Sequence, residues 1–127
     1  MMRAAGTLML CAALLATSSS PVLAAAAPKA RLKVVYGVKG GSAKSAYLNC
    51  APTGGTHPNA RAACRLLQKA GGDPNKLNVK PNPTCTHEVQ PHAAVIVGKW
   101  YGKDVRWGKV FVNGCYMRAT AGAVLAL

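Results

Sequence analysis

The segment C85-T-H-E88 places a cysteine, an imidazole and a carboxylate within four residues. Such a set could ligate a metal, form a cysteine–histidine nucleophile, or be a stretch of backbone displayed to another molecule. Pro83 and Pro91 bracket it. Both lack the amide proton that a helix interior or a central strand requires, so residues 82–91 read as a stiff loop.

The metal and catalytic options fail on local grounds. His87-Glu88 matches the start of an H-E-x-x-H zinc motif, but the fifth position is Pro91 and the next histidine is His92. That motif needs two imidazoles four apart on one helical face, and proline there breaks the helix. A serine triad needs an acid beside a histidine. The chain has three acids, Asp73, Glu88 and Asp104, all in turn or loop contexts, and no nucleophile elbow. No enzyme, metal or cofactor is expected.

The first residues have the layout of an export leader: Arg3, an apolar run over 6–16, then a polar stretch ending in small residues. The apolar run is too short to span a bilayer, which takes roughly 20 residues. Cleavage is expected after Ala24, or as late as Ala26, and Cys11 leaves with the leader. The mature product is then one exported domain of about a hundred residues, enough for a single core, with no second hydrophobic segment and no membrane anchor.

Four cysteines remain: Cys50, Cys64, Cys85 and Cys115. An even count in a small exported domain points to two disulfides, which also removes the thiolate a cysteine nucleophile would need. Three pairings are open, and the local one, Cys50–Cys64 with Cys85–Cys115, is the simplest. Each bridge could contribute roughly 3 kcal/mol. The full chain carries 16 Lys and Arg against three acidic residues, a formal charge of +13. That favours acidic partners or polyanions but does not select a fold. The cations are spread along the chain and the aromatics form no stacking series, so no specific nucleic-acid interface is expected.

The elements that must position the loop are legible as periodicities. Residues 30–39 alternate as a half-buried strand, 39–42 turn, and 43–50 return. A helix comes after 51–56, with Thr56 as its cap, Pro58 in its first turn, apolar residues at 60, 63, 64, 67 and 70, and Gly71-Gly72 as its stop. Asp73-Pro74 opens a second short helical turn through Leu77. Strands are expected over 93–100 and 105–112 around a turn at 101–104. Residues 113–117 extend toward a last strand at 121–127.

The pattern C50-A-P-x-G-G-T-H-P58, A-C64, G71-G-D73, C85-T-x-E88, P91, W100-Y-G-K103 and V110-F-V-N-G-C115 closely resembles the subtilisin inhibitor family of secreted serine protease inhibitors. The resemblance covers about residues 31–127. It implies an α+β fold, a five-stranded antiparallel sheet with two short helices on one face. It implies the local disulfides Cys50–Cys64 and Cys85–Cys115, and commonly a homodimer through the sheet. It also implies a reactive bond two residues past the third cysteine, His87–Glu88, with Cys85, Thr86 and Val89 as loop contacts. Asn113, Cys115 and Pro91 would support that loop.

The implied partner is a serine endopeptidase, subtilisin-like before trypsin- or chymotrypsin-like. Histidine ahead of the bond departs from the family's usual Met, Lys or Arg, and Val89-Gln90 replaces its usual aromatic-acidic pair. A second expectation is a secreted basic binding protein of the same fold, directed at polyanions or cell surfaces, whose loop has lost inhibitory action.

Overall fold

The computed structural model describes residues 26–127; the expected leader and its Cys11 lie outside the described residues. Alternation sets the first two strands, β1 (Ala30–Val38) and β2 (Ala43–Cys50). They pair antiparallel, with Leu32 opposite Leu48 and Val34 opposite Ala46, so the apolar residues share one face. The two-residue β3 (Gly54–Gly55) adds to β2. The hairpin of β4 (His92–Trp100) and β5 (Lys103–Phe111) pairs through β4 with β1, giving the order β3-β2-β1-β4-β5.

Both disulfides form in the local pairing, Cys50–Cys64 and Cys85–Cys115. The fold is the expected five-stranded antiparallel sheet with helices on one face. Helix α1 (Ala60–Lys69) packs on β2, and α2 (Gly114–Ala121) packs near the end of β5. A 3-10 segment, Gly122–Leu125, packs against both helices. The core is one cluster, in which Leu32, Val34, Leu48, Ile96, Leu67 and Leu125 are almost fully buried.

Three expectations are corrected. Residues 113–127 form no strand; they run as α2 and the 3-10 segment, and the fifth strand is β3, in a stretch expected to be loop. Asn113 nucleates the helix, because its side-chain oxygen accepts the Tyr116 N–H at 3.1 Å, and Met117 and Ala121 then bury at helical spacing. The short apolar run that ends the chain fits either period, and the cap decides it.

Thr56 does not cap α1. The helix begins after Asn59, three residues further on, and the Thr56 hydroxyl instead accepts the Tyr47 N–H at 2.9 Å, stitching the loop to β2. Pro58 therefore precedes the helix rather than sitting in its first turn. The hairpin turn is tighter than expected, since Tyr101 and Gly102 at φ 48° and 83° suffice and β5 begins at Lys103.

Helix α1 does stop at the paired glycines, and the ending has a specific geometry. Gly72 N–H bonds the Leu67 carbonyl at 2.8 Å and Gly71 N–H the Gln68 carbonyl at 3.1 Å, the paired bonds of a Schellman ending. Gly71 and Gly72 both have positive φ, 65° and 78°. A Cβ on Gly71 would meet nothing, whereas one on Gly72 would lie 2.1 Å from Trp100 Cδ1. Urea denaturation should therefore separate them. Gly71→Ala is expected to cost about 1 kcal/mol for the left-handed backbone alone. Gly72→Ala should cost roughly 2–4 kcal/mol, because the Trp100 ring must also move.

Candidate functional site

Residues 82–91 lie in no regular element, and His87, Glu88 and Val89 are all exposed, Val89 at 77%. The chain displays these side chains yet anchors the backbone beneath them at several points. On the upstream side, the Val79 and Lys80 amides donate to the carbonyls of Thr120 and Ala119, at 3.1 and 2.7 Å. These acceptors lie in the last turn of α2, where carbonyls lack intrahelical partners. Cys85 is then bonded to Cys115 in the first turn of the same helix.

At the loop's centre stands Asn113, 5% exposed. Its side-chain nitrogen donates to the Thr86 carbonyl at 3.0 Å and to the Glu88 carbonyl at 2.9 Å. These two carbonyls belong to the peptide groups on either side of the His87–Glu88 bond. Its oxygen accepts from Tyr116 N–H as the cap of α2. Two donors and one acceptor are all engaged, which fixes the amide's orientation. A buried carboxamide satisfied on every side is hard to displace.

Downstream, Gln90 N–H donates to the Val112 carbonyl at 2.8 Å, and Lys39 N–H donates to the Pro91 carbonyl at 2.9 Å. The loop thus leaves between the end of β5 and the turn joining β1 to β2. Its entry and exit are both held, and the stretch between them is stiff without being packed.

The structure brings together every residue named for the site: Cys85, Thr86, His87, Glu88, Val89 and Pro91 in the loop, Asn113 and Cys115 beneath it. Cys50–Cys64 lies apart, joining β2 to α1. Backbone anchors at Val79, Lys80, Gln90 and Val112 were not anticipated, because main-chain bonds between segments leave no mark on residue type. His57, one of the G-T-H-P residues, is buried and structural. Its Nδ1 accepts the Asn59 N–H and its Nε2 donates to the Val124 carbonyl, each at 2.9 Å. Among the described residues, no cluster of three or more His, Cys, Asp or Glu could hold a metal.

A small α+β scaffold that stiffens an exposed segment by a disulfide, an internal carboxamide and backbone bonds belongs to the class of loop-presenting proteins. Comparison with known proteins supplies the particular family. Residues 26–113 match the model of the subtilisin inhibitor-like family, and the chain belongs to that family.

It is 42% identical over 86 residues to a subtilisin inhibitor of Streptomyces violaceus, covering 66% of this chain and 59% of that protein. It is also 42% identical over 73 residues to plasminostreptin of Streptomyces antifibrinolyticus, covering 57% of this chain and 67% of that one. The match thus spans about three-fifths of the first relative's length. A crystal structure of Streptomyces caespitosus sermetstatin in complex with Bacillus licheniformis subtilisin is similar at a TM-score of 0.64 and 28% identity, over 77% of this chain and 98% of that one.

Asn113 carries two separable duties, and two substitutions should distinguish them. Asn113→Ala removes cap and brace together and is expected to lower stability by about 1–2 kcal/mol in urea unfolding. Asn113→Asp keeps the capping oxygen but replaces the donor to Thr86 and Glu88 with an acceptor. It should retain the helix in far-UV circular dichroism while the loop becomes sensitive to proteolysis.

Proposed function

We propose that this chain is a secreted inhibitor of subtilisin-like serine proteases that offers the His87–Glu88 bond as a substrate mimic. The observation that carries this reading is the Asn113 side chain bonded to the carbonyls on both sides of that bond. The loop enters a protease cleft already in its bound conformation, so little entropy is lost on docking. The His87 carbonyl would face the protease's serine and oxyanion hole. After attack, Asn113, the Cys85–Cys115 bridge and the Gln90–Val112 bond hold the two new ends in register. Religation then competes with hydrolysis. The chain acts as a ligand of an enzyme, with no metal or cofactor and no catalysis of its own.

Export through a leader at residues 1–24 belongs to the same proposal. It is supported by the two disulfides, which persist in oxidising compartments. Among the described residues no helix is long and apolar enough to cross a membrane.

We also propose self-association through the sheet face turned away from the helices. Val95, Val97 and Val110 are exposed there, at 42%, 36% and 68%. Lys33, Arg31 and Arg106 share that face by register, opposite Tyr47, Lys99 and Val97. Like charges would meet across the joint, so sedimentation equilibrium should show a dimer that tightens as salt rises. Val97→Lys, which adds a further like charge beside Arg106, should leave a monomer.

The function is tested with a panel of a subtilisin, a trypsin and a chymotrypsin, with the cut site mapped. Stoichiometric inhibition of the subtilisin with slow cleavage confined to His87–Glu88 is expected. Rapid degradation, or no effect together with salt-sensitive heparin binding, would instead favour a basic binding protein.

A further inference from the structure

The side of the loop beyond Glu88 has no bond to Asn113 except through the Glu88 carbonyl itself. What holds it is centred on Gln90, and one side chain there is unexpected. His92, the first residue of β4, is buried at 8% exposure. Its Nδ1 lies 2.7 Å from the Gln90 carbonyl oxygen. A carbonyl can only accept, so Nδ1 carries the proton and donates. Gln90 N–H is already committed to Val112 at 2.8 Å, so both backbone polar groups of Gln90 are fixed.

The ring itself is confined. It stacks on Tyr36 of β1, with centroids 6.3 Å apart and planes 22° from parallel. Its far edge lies over Gly114, where an added Cβ would stand 3.0 Å from Nε2 and 2.9 Å from Arg118 Nη1. Any larger residue at 114 would press on the ring. Three consecutive residues at the start of α2 therefore secure three parts of the loop. Asn113 holds the carbonyls beside the bond, Gly114 leaves the space in which His92 grips Gln90, and Cys115 tethers Cys85.

We propose that His92 is a positioning residue for the downstream half of the reactive loop, acting through the Gln90 carbonyl, with Gly114 as its seat. The proposal rests on reading 85–91 as the reactive loop. Its consequence is that the piece beginning at Glu88 stays aligned for religation after the bond is cut.

The test compares His92→Leu, which keeps a buried apolar side chain but removes the donor, with His92→Asn, whose amide nitrogen can occupy the place of Nδ1. In the free protein, Gln90 amide hydrogen exchange should rise roughly tenfold in His92→Leu and stay near wild type in His92→Asn. Amides in the middle of β4 should be unaffected in both. With subtilisin, hydrolysis of the His87–Glu88 bond should speed up by a similar factor in His92→Leu, more than initial binding weakens. Unchanged Gln90 exchange in His92→Leu, or exchange raised equally in both variants, overturns the positioning role. If Gln90 exchange responds as expected but the wild-type protein never inhibits the subtilisin, the positioning stands and the inhibitor reading fails.

Discussion

A primary carboxamide offers two N–H donors and one strong acceptor, and Asn113 spends all three between two segments. The acceptor starts α2, and the donors take the carbonyls of Thr86 and Glu88. The helix and the loop are consequently one mechanical unit, since neither can shift without breaking the other's bond. The burial of the side chain raises the stakes, because a buried donor left without an acceptor is costly. Much of the surrounding structure serves to keep that residue in place. Phe111 and Met117, two residues before it and four after, sit in the core, and Cys115 is bridged to the loop it helps support.

This arrangement separates what gives stability from what gives specificity. The outward side chains of His87, Glu88 and Val89 contact solvent, so the core does not constrain their identity. The backbone that carries them is held by groups whose identity is constrained, a carboxamide, two half-cystines and the main chain itself. A single scaffold can thus present different side chains on the same held backbone without refolding. His87 and the Val89-Gln90 pair, all exposed, are variations of the kind that such a design tolerates.

The parts legible in the sequence were those written in side-chain periodicity. Alternation in 30–39 and the return after the turn over 43–50 placed β1 and β2 nearly to the residue, and Gly71-Gly72 marked the end of α1. Pro83 and Pro91 marked the loop, and the family resemblance implied Asn113 as its brace. The stretches that came out differently were decided by interactions that cross between segments. Residues 121–127 look like a strand until Asn113 is seen to cap the helix that leads into them. Thr56 is a good cap by type, but the Tyr47 amide claims its hydroxyl. β3 has two glycines and no pattern to read. His92 sits one place before the expected strand, and its role depends on Tyr36 and Gly114, distant in sequence.

Charge fits the same division between scaffold and display. Of the three acidic residues, Asp73 accepts the Asn75 N–H at the start of the 3-10 turn Pro74–Lys76, and Asp104 pairs with Lys99 at 3.2 Å. Glu88 alone is placed in the exposed loop. The cations, by contrast, are distributed over strands and helix with that one ion pair among the described residues. A diffuse positive field of this kind contributes to the rate of encounter with an acidic surface more than to the strength of the final contact. Affinity must then come from the stiffness of the displayed backbone, so the many bonds behind 85–91 are the physical basis of any tight complex.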